Sequence, residues 1–139
     1  MADSVLYLCL GNSCRSIMAE ALTKHFLPCS VKVGSAGLHP LGFITEETLR
    51  VLAELHVATE GLRSKGWADI NLEEFRLLVN LSDYSLPAPW SRTFQGRIIH
   101  YPMLDPFGNT LEVYREVREI LCRFVKEKLP QYLNLGSDP

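Results

Sequence analysis

Surplus positive charge is what this 139-residue chain most plainly lacks. Its 14 Lys+Arg stand against 16 Asp+Glu, a net charge of -2, so nothing is left over to neutralise a run of phosphates and a nucleic-acid partner is not expected. No stretch approaches the roughly 18 consecutive apolar residues of a membrane-spanning helix, and Met1-Ala2-Asp3 lacks the basic-then-apolar order of a signal peptide. Neither a membrane nor secretion is indicated, and the cytoplasm is the expected compartment. Repeats, low-complexity tracts and Pro/Ser/Gly-rich linkers are missing as well, so one domain is expected across residues 1–139. The four cysteines, Cys9, Cys14, Cys29 and Cys122, form no CxxC pair and no disulfide spacing, which argues against a disulfide scaffold and leaves them as free thiols. What remains is an ordinary globular composition, 47% hydrophobic and 22% charged, in a chain long enough to bury about two thirds of its unfolded surface.

The chain opens with Ser4-Val5-Leu6-Tyr7-Leu8-Cys9-Leu10, a nearly continuous apolar run of the kind shown by a strand covered on both faces. Helical spacing follows over residues 16–27, with Met18, Leu22 and Phe26 on one stripe, until Pro28 ends it. Val31 and Val33 alternate as a second strand, and Gly34 and Gly37 punctuate the loop expected after it. Thr45 is a candidate N-cap for a helix that buries Leu49, Leu52, Ala53 and His56, and Asn71-x-x-Glu74 has the form of another helix start. Residues 76–81 and 97–101 read as the remaining strands. A long amphipathic helix spans residues 111–129, with Val113, Val117, Ile120, Leu121, Phe124 and Val125 inward and Pro130 closing it. Strands alternating with helices predict an α/β fold with a parallel sheet, in which ligands bind outside the carboxyl ends of the strands.

The loop after the first strand, Cys9-Leu10-Gly11-Asn12-Ser13-Cys14-Arg15-Ser16, therefore carries the chemistry. Backbone N–H groups between a strand and a helix N-terminus, helped by the helix dipole, make a site for a phosphate-like oxyanion. Gly11 and Asn12 accept the positive φ such a loop needs, and Arg15 adds a planar fork matched to two oxygens of a tetrahedral anion. A sulfur at Cys9 would lie beneath the bound phosphorus, where the same field favours a nucleophilic thiolate over a thiol.

These residues, continued by Ile17-Met18-Ala19-Glu20-Ala21, resemble the active-site signature of the low-molecular-weight protein tyrosine phosphatases and of the thioredoxin-coupled arsenate reductases that share their fold. Gly34-Ser35-Ala36-Gly37, Arg63-Ser64-Lys65 and Asp105-Pro106-Phe107-Gly108-Asn109 resemble later segments of the same family. The resemblance implies a three-layer fold with a four-stranded parallel sheet and a phosphate-binding loop, residues 10–16, after the first strand. It implies Cys9 as nucleophile and Arg15 as transition-state clamp. Ser16 would stabilise the thiolate, Asn12 would organise the loop through Ser35, and Asp105 would serve as general acid. Read on its own, Asp105 before Pro106 is equally an Asx turn. Cys14 is either a partner for Cys9 in a protective disulfide or a packed spectator thiol. No metal and no cofactor is implied; the ligands implied are inorganic phosphate or arsenate and a phosphorylated protein or small aryl phosphate.

Both branches of the family begin with attack by Cys9 on an oxyanion, but the coupled reductases then pass oxidising equivalents through two thiols that flank a loop after the third strand. The matching residues 80–89 contain no cysteine: Ser82 falls at the first position and Ala88 near the second. Cys29 lies between a helix and a strand, and Cys122 reads as core packing. The reading is thus a phosphatase acting on phosphate monoesters, phosphotyrosine foremost, with an arsenate reductase using an external thiol as the alternative. Arg63-Ser64-Lys65 and the short chain resemble the reductase branch more than the longer eukaryotic phosphatases, and a single Phe107 stands where the phosphatases often carry two tyrosines, which removes a possible phosphorylation site. The pocket rim is expected from Leu38, His39, Leu41, Phe43, Tyr84 and Phe107, whose apolar walls suit an aromatic substrate.

Overall fold

A computed structural model describes residues 3–133; the Met1-Ala2 start, on which the reading of the N-terminus partly rests, lies outside the described residues. Four strands, β1 (Ser4–Cys9), β2 (Lys32–Gly37), β3 (Leu77–Asn80) and β4 (Arg97–His100), form one parallel sheet in the order β2-β1-β3-β4. Because β1 is central, both its faces are covered, which is why its sequence shows no polar alternation. Val5, Tyr7 and Cys9 face one core with Met18, Leu22, Val51, Leu52, Val117 and Leu121, whereas Leu6 and Leu8 face a second with Leu78, Phe75 and Trp90. The first core lies under helices α1 (Arg15–Phe26), α2 (Glu46–Ala53) and α4 (Leu111–Arg123); the second is covered by the short α3 (Ala88–Thr93) and the 3-10 turns at Trp67–Asp69 and Leu72–Glu74. The three-layer α/β reading therefore holds. Among the described residues no helix is long and apolar enough to cross a membrane.

Burying Tyr7 in the first core requires a partner for its hydroxyl, and Thr23 Oγ1 supplies one at 2.7 Å while itself donating to Ala19 O at 2.7 Å. Burial pushes the Tyr7 phenol well above its usual range, so it remains neutral and, with the Thr23 proton spent on Ala19 O, donates to Thr23 Oγ1.

Several local readings need correction. Residues 34–37 continue β2 rather than forming the loop after it: Gly34 and Gly37 are there because neighbours come too close for a side chain. A Cβ on Gly37 would sit 2.9 Å from both Asn12 N and Leu10 O, backbone atoms that cannot swing aside. The helix after Thr45 buries Thr48, Val51 and Leu52, while Leu49, Ala53 and His56 are exposed. Its inward face is turned by the bond from Thr48 Oγ1 to Ser13 O, and the helix has already ended at His56, which adopts φ 58. Asn71 accepts from Glu73 N at 3.3 Å but caps only a 3-10 turn. In α4, Val113 and Ile120 are half-buried, and Tyr114, Arg118 and Cys122 join Val117 and Leu121 on the inner face. Pro130 does not close this helix. A π turn (Phe124–Lys128) precedes it, and a last turn, α5 (Leu129–Tyr132), carries Pro130 in its first positions, where the missing N–H costs nothing.

Arg118, 8% exposed, ties α4 to α2 by donating to Val51 O at 2.9 Å and to Glu54 Oε1 at 2.7 Å; Arg115 donates to Glu54 Oε2 at 2.7 Å. Bonded by two guanidinium groups, the Glu54 carboxyl is held down to about 2. A depressed folded-state value adds stability above the unfolded carboxyl range and loses it as pH falls. We expect Glu54→Gln to lower the Tm at pH 7, with the gap to the parent protein closing between about pH 4.5 and about pH 2, read from thermal unfolding across that window. Gly37→Ala, by contrast, should cost about 1–3 kcal/mol in urea unfolding at any pH, because backbone must move to admit the methyl group.

Candidate active site

The 9–16 loop joins β1 to α1 at the carboxyl edge of the sheet. Its carbonyls are bonded outward: Leu38 N donates to Cys9 O at 3.0 Å, His39 N to Leu10 O at 2.8 Å, Leu41 N to Gly11 O at 3.0 Å, and Thr48 Oγ1 to Ser13 O at 3.0 Å. Ser64 Oγ also reaches Gly11 O at 3.2 Å, and Ser13 Oγ donates back to Phe43 O at 2.7 Å. With the carbonyls held from outside, Asn12 takes a left-handed φ of 47 and the loop curls about its own amides. Among the described residues, the backbone N–H groups of residues 11–14 donate to no protein acceptor. Stacked at the start of α1, they form a cradle for an oxyanion.

Asn12 is fully buried, and each end of its amide is used. Lys65 N donates to Asn12 Oδ1 at 2.8 Å, while Asn12 Nδ2 donates to Ser16 Oγ at 2.7 Å and to Ser35 Oγ at 3.0 Å. Ser16 Oγ lies 2.9 Å from Cys9 Sγ, at the floor of the cradle. Behind Ser35 stands Glu20, 5% exposed, whose carboxylate accepts from Ser35 Oγ at 2.5 Å and from Lys24 Nζ at 2.8 Å. Lys65 Nζ lies 3.9 Å from Glu20 Oε1; burial pushes its ammonium below the usual range and Glu20 pulls it back up.

Arg15 is 4% exposed, and its guanidinium is fixed by backbone from two distant places: Nη1 donates to Leu81 O at 3.2 Å and Met103 O at 3.1 Å. Its Nη2 is 3.4 Å from Asp105 Oδ2, and its Nε is buried without any partner. An orphaned buried N–H is costly, and one beside Nη2 forms the edge of the fork that takes two oxygens of an anion. Asp105 uses its other oxygen, Oδ1, to accept from Phe107 N at 3.1 Å, so the Asx turn and the approach to Arg15 coexist in one side chain.

A cleft of about 370 Å³ opens above Cys9, lined by Leu10, Gly11, Ser13, Cys14 and Arg15 below and by His39, Leu41, Tyr84, Asp105 and Phe107 around the mouth. Of the expected rim residues, Leu38 and Phe43 do not line it: Leu38 packs on the second core, and Phe43 is exposed outside the cleft. Tyr84 is held in place by Asn80, which donates from Nδ2 to Tyr84 O at 2.8 Å and accepts at Oδ1 from Ser82 Oγ at 2.7 Å. Cys14 Sγ lies 3.5 Å from both Thr45 Oγ1 and Tyr114 Oη, and burial pushes its thiol up. Cys9, Cys14 and Cys122 are buried free thiols and Cys29 is an exposed one. Three participants escaped the sequence reading. The carbonyls of Leu81 and Met103 carry no side-chain signal, and Glu20 sits inside the helical motif as one acidic residue among many.

The model of the family described as low molecular weight phosphotyrosine protein phosphatase matches residues 4–134. A protein-arginine-phosphatase of Bacillus subtilis is 27% identical, with 91% of this chain and 95% of the relative covered. Among solved structures, an arsenate reductase in the phosphate binding state superposes with a TM-score of 0.82 at 26% identity, covering 94% of this chain and 98% of that one. A tyrosine phosphatase from Escherichia coli K30 in complex with sulphate gives a TM-score of 0.78 at 28% identity, covering 91% and 95%. Solved structures named for both chemistries thus share this fold over nine-tenths or more of each chain. The family model spans nearly the whole chain, and the chain belongs to the low molecular weight phosphotyrosine protein phosphatase family.

Proposed function

We propose that the protein hydrolyses phosphate monoesters, with phosphotyrosine as the substrate class, through a cysteinyl-phosphate intermediate. The observation that carries this reading is the partnerless Nε of Arg15 above Cys9, with a half-exposed carboxylate facing the same guanidinium. In the first step Cys9 Sγ forms a bond to phosphorus in line with the leaving oxygen. As the P–O bond breaks, Asp105 passes its proton to that oxygen. The amides of the loop and the Nε and Nη2 edge of Arg15 hold the three equatorial oxygens, where charge is spread in the transition state. In the second step a water attacks the thiophosphate, gives its proton to the Asp105 carboxylate, and releases inorganic phosphate and the thiolate. The walls formed by Leu41, Tyr84 and Phe107, each more than a third exposed, favour an aryl group above the phosphate.

Residues 80–89 support hydrolysis over an internal redox relay. Ser82 is buried and bonded to Asn80, Ala88 opens α3, and neither is a thiol. A second reading, favoured by the superposition on an arsenate reductase, is reduction of arsenate with an external thiol supplying the two electrons. Steady-state turnover of p-nitrophenyl phosphate at mildly acidic pH, with EDTA present, separates the two. Turnover that falls by about four orders of magnitude in Cys9→Ser, while phosphate is still bound, supports the phosphatase. No turnover by the folded parent protein, together with thiol-dependent NADPH consumption on arsenate in a coupled assay, would replace it with the reductase.

The acid role of Asp105 has its own signature. Asp105→Asn should slow aryl phosphates with poor leaving groups about 100-fold or more and those with good leaving groups far less, in a series read by kcat. Equal slowing across the series would remove Asp105 from proton transfer.

A further inference from the structure

Tyr84 stands at the mouth of the cleft, 55% exposed, yet both polar groups of its backbone are held by buried side chains. Its N–H donates to Ser82 Oγ at 3.2 Å, and its carbonyl accepts from Asn80 Nδ2 at 2.8 Å. Asn80, fully buried, is the last residue of β3, and Ser82 is 2% exposed. Donor counting leaves one arrangement of this clamp. Ser82 N can only donate and reaches Asn80 Oδ1 at 3.0 Å, while the Tyr84 carbonyl can only accept and so must face the amide NH2. Ser82 Oγ, which receives from Tyr84 N, spends its own proton on Asn80 Oδ1 at 2.7 Å. The second amide proton of Asn80 is directed at His100 Nδ1 on β4, 3.5 Å away.

A buried amide and a buried hydroxyl are costly unless paired, and here the pairing fixes one exposed residue. Beyond Tyr84, Leu86 packs on the second core and Trp90 N donates to Pro87 O at 2.9 Å, so the tyrosine sits on a short span secured at both ends. A ring with two torsions on an already ordered backbone loses little entropy when a ligand settles against it. The other walls of the mouth differ in this respect. Leu41 has no π face, and Phe107 hangs on an exposed turn held by Asp105 Oδ1, part of the carboxyl that changes protonation in the proposed cycle. We infer that Tyr84 is the residue by which the cleft selects aryl over alkyl phosphates, and that Asn80 and Ser82 are positioning residues that hold it there.

The inference rests on the reading of the cleft as a phosphate-monoester site, and its test does not require turnover. Benzylphosphonate and ethylphosphonate carry the same charged head on a carbon and differ in the ring, and their affinities are read by calorimetric titration of the full-length protein. The parent protein should bind benzylphosphonate about tenfold more tightly. Tyr84→Ala should cut that preference about fivefold, and Phe107→Ala less than about twofold. Asn80→Ala and Ser82→Ala should each cut it about threefold, the size expected when an ordered side chain must be immobilised on binding. In a Tyr84→Ala background neither should cut it further, because the ring they position is gone. Where phenyl phosphate is turned over, the loss in these variants should appear chiefly in KM.

Leu81, between the two positioning residues, supplies a carbonyl to Arg15, so inorganic phosphate is titrated alongside. Its affinity should move less than about twofold in the Ser82→Ala and Asn80→Ala proteins. A phosphate affinity that falls in step with the aryl preference would show the clamp to act through the arginine and overturn the inference. Equal binding of the two phosphonates by the parent protein, or a further loss of preference in the Tyr84→Ala background, would also overturn it. If Asn80→Ala does not fold, Ser82→Ala, which removes a single oxygen, carries the same test. Failure of p-nitrophenyl phosphate turnover, with the phosphonate preferences as expected, would count against the phosphatase alone.

Discussion

Peptide N–H groups that are to hold an oxyanion must be denied protein acceptors, while the carbonyls of the same peptides still have to be satisfied, and in a short loop the two demands conflict. The protein meets them by pinning the carbonyls from outside. Leu38, His39 and Leu41 add backbone donors in succession, as an extra strand edge would, and Thr48 takes the carbonyl of Ser13. Everything else follows from that clamp: Gly37 lacks a side chain because the loop must lie against β2, Asn12 turns left-handed to reverse the chain, and α2 is rotated so that Thr48 faces inward. A site made of backbone needs a scaffold on every side of it.

The sequence carried the loop itself with unusual clarity, because eight contiguous residues hold the nucleophile, the amides and the arginine, and local chemistry is what a sequence displays best. It was equally informative about the sheet, since an apolar run without alternation has few explanations other than a strand covered on both faces. What it could not display were contacts whose partners have no side-chain identity, such as the carbonyls of Leu81 and Met103 that fix Arg15. The same holds for the Lys65 amide on Asn12: the Arg63-Ser64-Lys65 motif could be noticed, but not that its backbone does the bonding.

Errors of helix reading have a common cause. Periodicity finds an apolar face only where packing alone orients the helix. In α2 a hydroxyl bond competes with packing and turns Leu49 to solvent, and in α4 a buried arginine with good acceptors joins Val117 and Leu121 on the inner face while Val113 and Ile120 stay half-buried. Pro130 misled in a different way, since a π turn allows a proline to begin a new helical turn where it could not continue the old one.

The wide chain separations within the site bear on how the protein comes into being. Cys9 and the loop are synthesised before every group that orders them: Ser35 follows, then Thr48 and Lys65, then the carbonyls of Leu81 and Met103. Such long-range closures are slow to form and are made together with the sheet. A nascent chain therefore carries the complete signature motif while lacking the clamp that gives it chemistry, and the cysteine acquires its environment only when residues as distant as Met103 have been synthesised and have closed around it.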